Sequence, residues 1–430
     1  MEALRIYTEK PYQLRGEVTI SGAKNAVLPA IAASLLTAEE IRLSNVPLVK
    51  DVQTMLTLMK ELGAEHETRK KSLRIKTEKI VSDQAPYQLV RAMRASILVL
   101  GPLLARKGKA VVALPGGCAI GTRPVDLHIN GLQKLGASIS LEHGYIVAEA
   151  RKLKGTEFEF EKKTVTGTEN LVMAATLARG ETVLKNCALE PEVSSLCQLL
   201  VKMGARIEGI GEETLRITGV EELGPAEHRI IPDRIEAGTF MVAAALTGGD
   251  LLLKEVEPAH LEALTDKLII SGARVEKAGR RALRVTGSQE IKPQDVTTAP
   301  YPGFPTDMQA QFMVLMTQAS GTSIITETIF DRRFGHATEL IRLGANIEIQ
   351  GDKAIVRGKT PLSGAEVVAT DLRASASLVL AGLIATGQTT INDIEHLDRG
   401  YEKIEEKLIR LGVRIERLKN NHNNRTGSKT

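Results

Sequence analysis

An α/β fold built from six similar units, three to each of two domains, is predicted by three observations. A short signature recurs six times: Leu62-Gly63-Ala64, Leu135-Gly136-Ala137, Met203-Gly204-Ala205, Ser271-Gly272-Ala273, Leu343-Gly344-Ala345 and Leu411-Gly412-Val413. Its glycines stand 68 to 73 residues apart, so the copies fill the chain. At 430 residues the chain exceeds the size at which single cores stop growing, which divides the units between two domains. A solenoid is disfavoured, because its units usually run only to roughly 20 to 45 residues.

Within each unit the first element is an inner helix. Ala26 to Leu36 is rich in Ala and apolar nearly all round, which places it inside a domain. Its counterparts are expected to begin near Ala92, Glu169, Ile235, Met308 and Leu372. The second helix, directly before each signature, is amphipathic; Tyr401 to Leu408 has one apolar and one charged face, as a surface helix does. The signature glycine reads as its C-terminal cap, where left-handed backbone costs Gly little. Short strands follow, alternating as in Arg206-Ile207-Glu208 and Asn346-Ile347-Glu348-Ile349. Ser271 alone breaks the apolar first position of the signature.

Composition narrows the function. Hydrophobic residues make up 43% and charged residues 25%, as in globular proteins. The uncharged stretch Ala374 to Thr386 falls short of the roughly 20 residues that span a bilayer. The segment Met1 to Tyr7 alternates like a strand and has no apolar signal core, so a cytoplasmic address and no membrane partner are expected. Three cysteines, an odd number, argue for reduced thiols, and neither Cys nor His shows metal-ligand spacing, so no metal is expected. A net charge of +4 and 13 aromatic residues without Trp argue against nucleic acid.

Charge gathers where the inner helices start. Asp233 with Glu236 forms a capping-box pattern, and Asp307 and Asp371 read as N-caps, so Asn at 307 is expected to preserve stability. Capping does not call for Lys24, Arg94 or Arg373, because a cation at a helix N-terminus opposes the macrodipole. An anion is expected there, and two such clusters facing each other would suit a ligand with several phosphates or carboxylates. The segment Leu114 to His128 is a glycine- and proline-rich loop that holds Cys118 five residues from Arg123, the setting of a reactive thiol. Cys187 and Cys197 lie in apolar or helical surroundings and read as packing. His128, at a helix start, is disfavoured as the base of a Cys-His pair.

Several motifs resemble the MurA-type enolpyruvyl transferases, which are related to EPSP synthase. They are Lys24-Asn25, Arg91-Ala92-Met93-Arg94-Ala95-Ser96, Pro115-Gly116-Gly117-Cys118 with Arg123-Pro124, Phe304-Pro305-Thr306-Asp307-Met308-Gln309, Thr370-Asp371-Leu372-Arg373-Ala374 and Asp398-Arg399-Gly400-Tyr401. The resemblance runs from about residue 4 to 418. It implies a two-domain inside-out α/β barrel with residues 1–20 crossing back to the second domain: 21–230 as the first domain and 1–20 with 231–418 as the second. The polar composition of 419–430 predicts a disordered tail. It implies transfer of the enolpyruvyl group of phosphoenolpyruvate to the 3-hydroxyl of UDP-N-acetylglucosamine in the first committed step of peptidoglycan synthesis, without a cofactor.

By the same resemblance Cys118 is the acid toward C3 and the target of fosfomycin, and Asp307 is the base. Lys24, Arg123 and Arg399 hold the phosphate, Arg373 and Arg399 lie near the carboxylate, and Asp371 favours positive character at the reacting carbon. The UDP-sugar falls to Arg94, Arg123, Pro124, Val125, Asp126, Leu127, Lys162, Lys163, Thr164, Val165, Asp307 and Ile329, and Asn25 is a further substrate-binding residue; ordinary packing is the competing reading of Val125, Leu127 and Ile329. Two stretches depart from the family: Thr164-Val165-Thr166-Gly167 stands for the usual Ser-Val-Gly-Ala, and Phe330 to Gly335 for Phe-Glu-Asn-Arg-Phe-Met, which predicts looser packing beside Phe330. Like charges on Lys24, Arg94, Arg123, Arg373 and Arg399 predict a free protein held open until ligand neutralises them. Enolpyruvyl transfer to another acceptor, and a non-catalytic sensor of nucleotide sugars, stand as alternatives.

Overall fold

A computed structural model describes residues 2–114 and 125–419. The expectations placed on Cys118, Arg123, Pro124 and the tail beyond Lys419 lie outside the described residues. Six four-stranded sheets account for the strands, one per unit. Each has the same pairing pattern, a short edge strand parallel to the second strand and two further antiparallel strands; in five sheets a hairpin supplies these two, and in the sixth they come from the two ends of the chain. The sheets lie outside and the inner helices inside, the inside-out α/β arrangement, because helices such as Lys24–Ala33 and Gln309–Met316 are buried on nearly every side. Buried apolar side chains form two clusters, a first core from Ala23 to Ile230 and a second from Leu4–Ile20 together with Ile235–Ile415. No helix among the described residues is long and apolar enough to cross a membrane.

The six signature glycines all have positive φ, between 87° and 106°. In every copy the glycine N–H bonds three residues back and the next N–H bonds five back, as in Gly63 to Lys60 and Ala64 to Met59, which is the Schellman cap. Ser271, the exception in the signature, is buried and satisfies its hydroxyl by donating to the Lys267 carbonyl at 2.8 Å.

Three helix starts differ from expectation. In the second unit Met93 is extended (φ −145°, ψ 111°), and the inner segment breaks into Tyr87–Ala92, a 3₁₀ turn Arg94–Val99 and Leu100–Lys107. Pro102 has no N–H and fits only the first turn of that last helix. In the third unit Thr164 caps Gly167, so the helix runs Val165–Ala175 and Glu169 is interior. In the fifth unit Thr306–Met308 is a 3₁₀ turn without a side-chain cap, so Asp307 is not an N-cap. Asp233 and Asp371 do cap, each accepting two backbone N–H groups. Glu236 does not close the capping box; it accepts instead from the Ser21 N–H at 2.7 Å and pairs with Lys407.

The two cores exchange edge strands. Arg15–Thr19 precedes the inner helix of the first unit but pairs with Asp250–Lys254 of the fourth. Ala226–Arg229 precedes the inner helix of the fourth unit but pairs with Glu40–Ser44 of the first. Between the cores the two connecting segments run side by side, with Ala23 N–H donating to Ile231 at 2.8 Å and Asp233 N–H to Ser21 at 2.9 Å. The N-terminal strand Glu2–Thr8 completes the sixth sheet between Gly387–Asn392 and Ile415–Lys419.

A Cβ at Gly22, inside this crossing, would stand 1.8 Å from the Asn45 carbonyl oxygen, whereas one at Gly412 meets nothing within 4 Å. Gly22→Ala is therefore expected to destabilise the protein by roughly 3 kcal/mol or more, since backbone must move. Gly412→Ala, with strained φ alone, should cost about 1 kcal/mol. Urea unfolding of both variants checks the order; equal losses would mean the crossing yields freely.

Candidate active site

Polar residues from both cores converge where the inner helices begin. Lys24 is the first residue of Lys24–Ala33, and its backbone N–H approaches the Asp233 carboxylate at 3.4 Å. Its Nζ lies 3.1 Å from Asp51 Oδ2, and Arg399 of the second core reaches Asp51 Oδ1 with Nε at 2.9 Å. Asp51 stands at the start of the surface helix Lys50–Glu61 and is 2% exposed. Burial alone would raise its pKa, but Lys24 and Arg399 outweigh burial and hold the carboxyl below its ordinary range. Beside it opens a cleft of about 400 Å³ lined by Lys50, Thr54, Asp393, His396 and Arg399 among others.

A second carboxylate is held in the same manner. Asp307 receives Arg333 Nη2 at 2.6 Å and Arg373 Nη2 at 2.8 Å. Burial raises its pKa, but the two guanidinium charges and their hydrogen bonds overcome it and leave the carboxyl well below the ordinary range. Burial likewise disfavours the charge on Arg373, and Asp307 more than offsets it. Asp371, in the same turn, spends Oδ1 on the N–H groups of Arg373 and Ala374.

The structure thus brings Lys24 and Arg399 together on Asp51, and Arg373 and Asp307 together beside Asp371. Three of the cations expected to repel have a carboxylate partner: Asp51 draws Lys24 and Arg399 together across the cores, and Asp307 sits between Arg373 and Arg333. A survey of helix starts misses Asp51, because an acid in the first turn of an amphipathic helix is commonplace; its burial is a tertiary property. Arg333, within the stretch that departs from the family, also covers Phe330, with its guanidinium carbon 5.0 Å from the ring centre.

The other expected ligand residues lie around the first core, except Ile329 in the fifth unit. Asn25 is in the first turn of its helix, and Arg94 opens the 3₁₀ turn. Val125 and Asp126 begin the helix Asp126–Lys134; Val125, Leu127 and Val165 pack half-buried on the core. Lys162 is exposed, while Lys163 donates to the Cys187 carbonyl at 3.3 Å and pairs with Glu213 at 2.7 Å. Ile329 is exposed and its N–H donates to Glu327 at 2.8 Å.

The departure at 164–167 is internally consistent. A Cβ on residue 167 would stand 2.4 Å from the Thr164 methyl, so Thr at 164 goes with Gly at 167. The Thr166 hydroxyl lies 3.3 Å from His128 Nε2, and His128 Nδ1 lies 3.0 Å from Asn170 Nδ2. His128 is neutral near pH 7, since burial, with Arg94 adding to it, pushes its pKa down to about 4.

Residues 8–408 match the family described as EPSP synthase (3-phosphoshikimate 1-carboxyvinyltransferase). A UDP-N-acetylglucosamine 1-carboxyvinyltransferase from Koribacter versatilis is 60% identical over 409 residues, 94% of each chain. One from Desulfatibacillum aliphaticivorans is 55% identical over 415 residues, 96% of this chain and all of its own. Among solved structures, the enolpyruvyl transferase NikO from Streptomyces tendae matches with a TM-score of 0.87 at 26% identity, over 97% of this chain and 98% of that one. EPSP synthase from Acinetobacter baumannii matches at 0.73 and 19% identity, over 97% of this chain and 100% of that one, a likeness of fold.

Because Asp307 is an ion-pair partner and not a cap, Asp307→Asn should lose stability as well as activity. Its depressed pKa contributes stability above the ordinary Asp range and loses it as pH falls through the folded value. The deficit of the variant should be about 2 kcal/mol at pH 7, hold steady to about pH 5, and narrow below about pH 4. Urea unfolding across that range checks it; a deficit unchanged at about pH 3.5 would assign the loss to packing.

Proposed function

The chain belongs to the EPSP synthase family, and from that premise we infer that it transfers the enolpyruvyl group of phosphoenolpyruvate to the 3-hydroxyl of UDP-N-acetylglucosamine, releasing phosphate. The observation that carries this reading is the pairing of Lys24 of the first core and Arg399 of the second on Asp51, with Arg373 paired to Asp307, in a chain matched over 94% of its length by a relative of that name. In the reaction the sugar oxygen bonds to C2, C3 gains a proton, and the resulting ketal expels phosphate as C3 gives a proton up. The product is a peptidoglycan precursor.

The residue roles follow from the resemblance and the geometry together. Cys118 supplies the proton to C3. Lys24 and Arg399, with Arg123, take the phosphate, and Arg373 takes the carboxylate. A carboxylate flanked by two guanidiniums is a weak base. Asp307 therefore becomes basic as the substrate carboxylate draws Arg373 away from it, which couples binding to proton transfer. Arg94, Val125, Asp126, Leu127, Lys162 to Val165 and Ile329 serve the UDP-sugar. A division into domains 21–230 and 1–20 with 231–418 is proposed on the strength of the two cores.

Phosphate release from phosphoenolpyruvate should require UDP-N-acetylglucosamine and not occur with shikimate 3-phosphate; the reverse result would move the chain to the other branch of the family. Cys118→Ala should slow turnover at least about 100-fold with sugar affinity retained, while Cys118→Asp, which can still donate a proton, keeps activity and escapes fosfomycin. Wild-type turnover in Cys118→Ala would remove the acid role.

A further inference from the structure

One buried hydroxyl in the second core joins three inner helices. Tyr401 Oη lies 2.9 Å from Thr239 Oγ1 on the helix Arg234–Leu246. It receives Gln311 Nε2 at 3.3 Å from Gln309–Met316 and Arg373 Nη1 at 3.4 Å from Leu372–Gly382. All four side chains are buried. The Tyr401 oxygen accepts from Arg373 and Gln311. With the Thr239 hydrogen on the Ile235 carbonyl at 2.8 Å, the phenol donates to Thr239.

The guanidinium of Arg373 is consequently held at two points, Nη1 by Tyr401 and Nη2 by Asp307 at 2.8 Å. Its central carbon also stands 5.7 Å from the centre of the Tyr401 ring. Two fixed nitrogens set the plane of the group and direct its remaining N–H bonds. Tyr401 follows Arg399 by two residues, and a Cβ on the intervening Gly400 would stand 2.7 Å from Leu372, so this segment lies against the start of the helix that carries Arg373. Burial pushes the phenol upward, so it stays protonated at neutral pH.

We propose that Tyr401 is a positioning residue for the carboxylate end of the three-carbon substrate, its hydroxyl holding Arg373 in the plane that grips the carboxylate when Asp307 lets go. This rests on the enolpyruvyl-transfer reading above. The Phe side chain keeps the ring and the packing and removes only the oxygen. In steady-state phosphate release, Tyr401→Phe should raise KM for phosphoenolpyruvate about ten-fold, leave KM for UDP-N-acetylglucosamine unchanged, and keep kcat within about two-fold. An unchanged KM for phosphoenolpyruvate, or an equal rise for both substrates, overturns the proposal. Thr239→Val keeps the phenol but removes the acceptor of its hydrogen, and should shift the same KM in the same direction by less. If Tyr401→Phe fails to fold, this variant decides, and the absence of a selective shift in it overturns the proposal. Wild-type protein that releases no phosphate would instead overturn the functional reading.

Discussion

A helix that is apolar on every side can exist in water only if it is surrounded, and this chain has one such inner segment in each of six units. Six sheets supply the surround. The inner helices then carry their charged groups mostly near their starts, and the starts of the first and fourth meet where the Lys24 N–H approaches Asp233. Charge is thereby concentrated in one place, where each cation opposes a helix dipole unless something negative lies beside it. Asp51 and Asp307 meet that need within the protein.

The two carboxylates differ in what they join. Asp307 pairs with Arg333 and Arg373 inside the second core, while Asp51 links Lys24 of the first core to Arg399 of the second. Under the proposed function, an anionic ligand would enter a site whose cations are already partly neutralised and compete with both carboxylates for their partners. Its affinity is a difference between two sets of ion pairs, smaller than the ligand contacts alone would suggest. Behind the charges each core has a neutral polar anchor: Asn170 with His128 in the first, and Tyr401 with Gln311 and Thr239 in the second. Such buried polar groups keep helix starts in register that apolar packing would allow to slide.

The repeat was legible because a left-handed backbone position at the end of a helix all but requires glycine, and six glycines at regular spacing betray six caps. The caps at Asp233 and Asp371 were legible for a related reason: their bonds reach only two and three residues along the chain. Asp307 has the same local signature, yet its partners lie 26 and 66 residues away, and distance in sequence hides such a choice. Asp51 and Arg399 are 348 residues apart, beyond any local pattern. Tyr401 was visible within a motif, but the donor count that gives its hydroxyl a direction needs three other helices in place. The motifs pointed to the site's chemistry, and the carboxylates that already occupy its cations emerged only from the fold.

The N-terminal strand has a history as well as a position. During synthesis Glu2–Thr8 leaves the ribosome long before Gly387–Asn392 and Ile415–Lys419, the strands on either side of it. Arg15–Thr19 waits similarly for Asp250–Lys254. For most of translation the nascent chain carries two open β-edges whose partners do not yet exist, the kind of edge that recruits other chains. Glu2 and Arg5 in one strand, and Arg15 and Glu17 in the other, put charge along those edges. These four charges thus serve the growing polypeptide as well as the finished fold.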